Sequence, residues 1–415
     1  MRILWVKAGK LLPVDTGGKI RSYNLLKHLA RRNETTLLSY YDGPPDKSYE
    51  ECIARELPGA ITLCTGKPES MIGQAINYIR HLTSNAPYAV TKFTSPKVQD
   101  LLSDWDRAKR FDVIVCDFLS ASLNFPASMA TPALLFQHNV ESALWQRQAR
   151  HERNPAKRLV FKIEASKMTR YERANLGKFD HVIAVSAHDR ELMSEMIDPN
   201  SISIVPTGVD LEEYSMVAAE NLTDEPQILF LGSMDWEANI DGVDHFCRAI
   251  WPRIKLEVPT AKFSVVGRNP HARATKWASD SVEITGRVDS VLPYLRQASV
   301  FIVPLRIGGG TRLKIYEAMA AGKAVVSTTV GAEGLDVHHG EDILLADADD
   351  DFAKAVIKLL RDSSLRRRLG AQAARLAAQY DWAIISERFE EILVRVAELR
   401  GGEPKSTKDF ASMPV

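Results

Sequence analysis

"VPLRIGGGTRLKIYEAMAAGKAVVSTTVGAEGL", Val303 to Leu335, decides how this chain is read. An apolar run, 299–305, is followed by three glycines, Gly308, Gly309 and Gly310, and then at once by a helical pattern. A second apolar run, AVVST (324–328), comes next. Strand, glycine turn, helix and strand make the repeating unit of a parallel sheet. The glycines let the backbone take positive φ and bring bare amides against a ligand. Thr311 reads as the N-cap, the helix is predicted to begin at about Arg312, and Gly322 is its stop. The first N–H groups and the positive end of the dipole form an anion site. Arg312 and Lys314 add full charges suited to a phosphate or diphosphate. Glu317 lies roughly 9 Å further along the axis at ~1.5 Å per residue, and helical side chains lean back towards the N-terminus. A carboxylate there can accept from a vicinal diol, as in ribose, so the spacing suits a nucleoside diphosphate. A plain glycine turn with a solvated Glu317 is the competing reading.

The same alternation runs outward from this stretch. Residues 2–6 (RILWV), ETTLLSY (34–40), 112–116 (DVIVC), 133–136 (ALLF) and 181–185 (HVIAV) read as strands. After a turn-rich passage the pattern restarts with QILFLG (227–232), KFSVVG (262–267), SVEITG (281–286), SVFIVPL (299–305) and AVVST. Strands that are apolar throughout are buried on both faces, which implies parallel sheets covered by helices. The fold class is therefore α/β, with two Rossmann-like, doubly wound domains facing each other across a cleft. The expected boundaries are 1–205, a linker at 206–226, a second domain at 227–381, a closing helix at 382–400 packing back on the first domain, and a disordered tail at 401–415. Ligands of such sheets bind outside the carboxyl ends of the strands.

The 415 residues carry 53 basic and 53 acidic side chains, so no bulk field draws the chain to nucleic acid. Four scattered cysteines without CxxC spacing argue against a disulfide framework or zinc site. The opening MRILWVKAGK is too soon charged for a secretory signal, and no run of about 18 apolar residues exists to span a membrane. The expected location is the cytoplasm. No GxxxxGK[ST] occurs, and no GxGxxG follows the first strand.

The stretch 306–335 resembles the C-terminal signature of family 4 (group 1) retaining glycosyltransferases, enzymes of the GT-B fold with two Rossmann-like domains. The resemblance extends to LPVDTGGKIRSYNLLKHLA, FQHNVESALW, IAVSAHDR, IVPTGVD, FLGSMDWEANIDGVDHF and VVGRNP, in the expected order, and is nearest to sugar transferases of exopolysaccharide clusters. It implies that Glu317 holds ribose. The family's other glutamate falls on Gly309, so the sugar-facing carboxylate is missing and loop amides are left to serve the sugar. Relatives place Arg and Lys after the first strand of the second domain, where this chain has Ser233 and Asn239. Arg268, Arg312 and Lys314, with the loop Gly309, Gly310 and Thr311, are then the candidates for the diphosphate.

Further candidates follow from the same resemblance. Gly17 and Gly18, before the first helix, let its amides approach donor or acceptor, with Lys19 near an anion. His138 at a strand end is the matched active-site histidine, expected to bond the transferred sugar, with Glu141 beside it. Arg287 and Val288 match the base-reading turn. Asp235 and Trp236 are assigned to the sugar pocket. Residues 147–178 hold ten Lys or Arg against three Glu among apolar positions. They read either as a face for anionic lipid or as a solvated helix pair.

The implied activity is metal-independent, retaining transfer of a sugar from a nucleotide diphosphate sugar, such as a UDP sugar, to a carbohydrate or lipid-linked acceptor. A nucleotide-sugar epimerase of the same fold, a catalytically silent nucleotide-sugar sensor and a dinucleotide oxidoreductase are the alternatives.

Overall fold

A computed structural model of the chain describes residues 1–66, 78, 84, 86–152, 154–219, 225–307 and 312–399. It divides into two compact units, Met1–Pro206 with the chain from Ile385, and Thr207–Ile384.

The first unit is built on seven parallel strands: β1 (Arg2–Ala8), β2 (Glu34–Asp42), β3 (Ile61–Gly66), β4 (Val113–Asp117), β5 (Ala133–Phe136), β6 (His181–Ala184) and β7 (Ile202–Ile204). Their order is β3-β2-β1-β4-β5-β6-β7. Ile3, Leu4, Trp5 and Val6 of β1 are fully buried, as are Val113 to Cys116 of β4. Both faces of these central strands are covered, which is why their sequences read as unbroken apolar runs. The chain winds outward in opposite directions from β1 and β4. The carboxyl ends of this neighbouring pair therefore open onto the crevice that such sheets use for ligands. The helix Gly17–Leu29 buries Leu25, Leu26 and Leu29.

The second unit holds β8 (Gln227–Leu231), β9 (Lys262–Val266), β10 (Val282–Gly286), β11 (Val300–Val303), β12 (Ala324–Ser327) and β13 (Leu344–Leu345) in the order β10-β9-β8-β11-β12-β13, again all parallel. The reversal here lies between β8 and β11. Every strand predicted from sequence is present. Three that were not predicted, β3, β7 and β13, lie at sheet edges.

Two local expectations change. The helix after the glycine turn starts at Leu313, one residue later than predicted, because Arg312 at φ −90°, ψ 81° is not helical. Gly308 to Thr311 lie outside the described residues, as does the expected tail. Gly322, at φ +67°, follows the helix end as its stop. Within the passage read as a linker, Leu211–Ala219 is a helix of the second unit, and Val209 bridges Asp381 there.

The basic stretch forms two helices, Glu141–His151 and Pro155–Leu176. The longer one buries Ala165, Met168, Tyr171 and Leu176. Leu159 and Ile163, one turn apart, stay 60% and 37% exposed.

Candidate functional site

In the second unit the site is built around the segment Gly232–Asn239, which leaves the carboxyl end of β8. Its backbone is tied to the exit of β9, Gly232 N–H donating to Val266 O at 2.9 Å and Met234 N–H to Arg268 O at 2.9 Å. Three cations from two other elements converge on it. Arg268 Nε donates to Ser233 Oγ at 2.8 Å. Arg312 lies 5.2 Å over the Trp236 ring. Lys314 Nζ donates to Asn239 Oδ1 at 3.0 Å and sits 4.4 Å over the Phe230 ring. Gly232 makes room for this ammonium, since a Cβ there would lie 2.6 Å from Lys314 Nζ.

Asp235 accepts from Ser233 Oγ at 2.6 Å and from Asn269 Nδ2 at 2.9 Å, bonds that hold its carboxyl below the usual range. It stands 3.6 Å from Arg268 Nε, so this guanidinium is fixed by two residues of the segment. Burial and then the Arg312 charge push Lys314 down to about 7, while Glu317 opposes the shift. Burial pushes Glu317 up to about 7, opposed by a hydrogen bond from Tyr214 and by Lys314. Tyr214 comes from the helix Leu211–Ala219. Like charges held this close are costly until an anion arrives, and such perturbed groups mark functional sites.

The structure thus gathers Arg268, Arg312, Lys314, Asp235 and Trp236 at one segment, with Glu317 one turn beyond Lys314. Arg287, exposed, and Val288, half-buried, lie in the turn after β10 and take no part in these contacts. Gly309, Gly310 and Thr311 lie outside the described residues.

In the first unit His138 follows β5 and is fully buried, where its strand-end position was expected to turn the ring towards a ligand. Its Nε2 lies 2.7 Å from Asp117 Oδ1. The Phe118 ring stacks on the imidazole at 3.7 Å, and Phe136 tilts against it at 4.2 Å. Asp117 Oδ2 accepts from Lys7 Nζ at 2.8 Å, Ser22 Oγ at 2.7 Å and Trp5 Nε1 at 3.1 Å. Burial lowers His138 to about 4 against the pull of Asp117, so the ring is neutral at pH 7.

Gly18 has a packing reason to be glycine. A Cβ there would fall 2.3 Å from Phe118 Cζ, whereas at Gly17 it would meet nothing within 4 Å. Lys19 Nζ is engaged by Pro13 O at 3.1 Å and Asp15 Oδ1 at 3.0 Å, within its own loop. Glu172 accepts from the backbone N–H groups of Glu141 and Ser142 at 2.9 and 3.0 Å, capping that helix from its neighbour. Burial and Glu172 raise the Glu141 carboxyl to about 7.

Sequence reasoning missed Asp117, Lys7, Ser22, Phe118 and Tyr214. The signal for two of them was legible: RILWVKA and VIVCD each place a charge at the end of an apolar strand.

Two all-parallel doubly wound sheets in separate units, one with a cation cluster at its switch point, are the architecture of the GT-B fold class. Residues 16–213 match Glycosyltransferase Family 4, and residues 225–362 match Glycosyl transferases group 1. This chain belongs to that family. It is 28% identical over 226 residues to a phosphatidyl-myo-inositol mannosyltransferase of Mycolicibacterium smegmatis, a match covering 52% of this chain and 57% of the relative. It is 24% identical over 277 residues to an uncharacterized 44.6 kDa protein in the cps region of Klebsiella pneumoniae, covering 64% of this chain and 69% of that protein. The match thus spans little more than half of the mannosyltransferase's length. Anabaena Alr3699/HepE, solved in complex with UDP, shares the fold at a TM-score of 0.64 and 14% identity, over 95% of this chain and 100% of that one.

Proposed function

We propose that this chain transfers a sugar, with retention, from a nucleotide diphosphate sugar to a carbohydrate or lipid-linked acceptor in polysaccharide or glycoconjugate assembly. The observation that carries the reading is the convergence of Arg268, Arg312 and Lys314 on Ser233, Trp236 and Asn239. A diphosphate is the ligand that relieves this crowding of positive charge. UDP is the nucleotide to test first, because the Anabaena protein was solved with it. The second unit binds the donor and the first unit the acceptor.

As the bond between sugar and phosphate breaks, negative charge grows on the leaving diphosphate. The two guanidinium groups and the ammonium stabilise that charge most in the transition state. The acceptor hydroxyl attacks from the same face as the leaving group, and the departing phosphate takes its proton. Glu317 accepts from the ribose diol, displacing the Tyr214 hydroxyl that bonds it here. Glu317→Ala is expected to raise donor KM about 10- to 100-fold, the cost of ~1.5–3 kcal/mol for a charge-assisted bond, with an unchanged circular dichroism spectrum. Undiminished UDP affinity in titration calorimetry would refute the ribose role.

The Pro155–Leu176 helix supports peripheral contact with an anionic membrane. Leu159 and Ile163 project on one face, with exposed Lys157, Arg158, Lys162 and Arg170 on the same helix. Among the described residues no helix is long and apolar enough to cross a membrane. Sedimentation with phosphatidylglycerol vesicles should show binding that weakens as salt rises and is lost in L159E/I163E. Binding indifferent to both would remove this surface from the proposal.

A further inference from the structure

The segment that gathers the cations of the second unit runs on into the helix Glu237–His245, which carries Asn239 and has Trp236 at its N-cap. Glu237, Asp241 and Asp244 stand four and three residues apart on this helix, so their carboxylates share one face. Like charges at that spacing repel and weaken a helix standing alone. Their partners come from two other parts of the same unit. Asp241 accepts from Arg306 Nε at 3.1 Å and from Nη2 at 2.7 Å, a bidentate pair. Arg306 lies just past the end of β11. From beyond β9, Arg273 Nη1 donates to Glu237 Oε1 at 2.5 Å, and its Nη2 stands 3.7 Å from Asp241 and 3.9 Å from Asp244. Asp244 takes Lys276 at 2.8 Å and Trp277 Nε1 at 2.9 Å.

β8 lies between β9 and β11 in the sheet. The helix that follows β8 is therefore tied to the exits of both neighbours, and Asp241 is the residue that meets a guanidinium from each. Packing alone leaves the helix a freedom. A Cβ at Gly242 would lie 3.0 Å from Pro304 O and 3.1 Å from Leu305 Cδ2, so the helix crosses the exit of β11 at a bare backbone. A contact of that kind is a pivot. Rotation about it moves Asn239 and Trp236, about one to two turns away, off Lys314 and Arg312, the cations they meet.

Magnitudes separate the two tasks such ion pairs can have. The Arg306 and Arg273 side chains are 43% and 38% exposed, and pairs that open contribute little to stability. A bidentate fork nevertheless fixes direction as well as distance. The network is thus weak as a source of stability and strong as a source of alignment.

We propose that Asp241 is a positioning residue for the donor: with Arg306 it sets the angle of the helix Glu237–His245, so that Trp236 and Asn239 already meet Arg312 and Lys314 when a diphosphate arrives. Arg273 steadies the same carboxylate from the β9 side. The inference rests on the transferase reading only in naming the ligand.

The first arm of the test needs no ligand. In Asp241→Asn the amides of residues 232–240, Gly232 and Met234 N–H among them, should exchange with deuterium about 5- to 30-fold faster than in the wild type, the range for coupling through a contiguous network. Asp244→Asn, which removes the same charge from the same helix but leaves the Arg306 fork, should stay within about twofold, below that range. Unchanged exchange in Asp241→Asn overturns the proposal. The second arm is calorimetry with UDP. Asp241→Asn and Arg306→Gln should each weaken binding about 5- to 30-fold, and the double variant by little more than either, because both break one link. Melting temperatures should move by no more than about 2–4 °C, as for exposed pairs. Losses that multiply in the double variant overturn the proposal. Lower melting with UDP affinity within about twofold of the wild type, below the coupling range, marks a purely structural role and overturns it as well. If the wild type binds no UDP, the donor reading fails, while the exchange rates still decide whether Asp241 holds the segment.

Discussion

Replacing Arg312 and Lys314 together with methionine is expected to weaken UDP binding by about 10²- to 10⁴-fold, since each charge-assisted bond to phosphate contributes ~1.5–3 kcal/mol. Turnover should fall with it, because the charge they meet increases as the leaving group departs. Stability should move the other way. Lys314 lies over Phe230 beside Arg312, and its folded pKa is lowered to about 7. The unfolded chain binds that proton below about 10.4, the ordinary lysine value, whereas the folded chain does so only near 7. The native state therefore loses stability as pH falls through that window, and at neutral pH the lysine is a burden on the empty protein. Lys314→Met should thus raise the melting temperature while it weakens binding. Calorimetric titration with UDP and a thermal melt, run on the same samples at pH 7.5, check both signs. Equal UDP affinity in the double variant would remove the cation cluster from the donor site.

Gly267→Ala carries the second large expected effect. A Cβ at Gly267 would lie 1.8 Å from the carbonyl oxygen of Gly232. The obstacle is backbone, so no side chain can swing aside. The exits of β8, β9 and β10 are stitched at this level, Gly232 N–H to Val266 O at 2.9 Å and Gly267 N–H to Gly286 O at 3.2 Å. Adding one methyl group must part these segments. We expect a loss of about 4 kcal/mol or more, the range reserved for such named clashes, together with loss of UDP binding. Gly17→Ala is the control. Nothing lies within 4 Å of its Cβ, and as the first residue of its helix it gains part of the ~1 kcal/mol by which alanine outranks glycine in a helix interior. Urea midpoints of the two variants should differ in opposite senses from the wild type. A Gly267→Ala protein with the wild-type midpoint would show that the strand exits yield easily.

The central strands were legible because burial on both faces leaves an unbroken apolar run. β1, β4, β8 and β11 announce themselves that way. β3, β7 and β13 did not, and each is an edge strand with partly exposed residues. Half-burial interrupts the apolar run that carries the signal. Two cations of the proposed donor site, Arg312 and Lys314, were legible as residue types at a helix start. The cations' contacts with Ser233, Trp236 and Asn239 were not, because these form only when β9 and β11 lie on either side of β8. Asp117 is the sharper case. Its charge was visible at the end of VIVCD, but four donors from different parts of the chain had to be folded against it before it could be read as a hub.

The helix Trp382–Glu398 has a consequence for the order in which the protein is made. Phe389 packs 5.5 Å from Trp5 and 5.2 Å from Phe136, and Phe389, Leu393 and Val396 are fully buried. The first unit thus obtains core side chains from a helix that is translated only after the second unit. Until then, the space beside Trp5 stays unfilled, and the nascent chain waits through the whole of the second unit with that apolar surface uncovered.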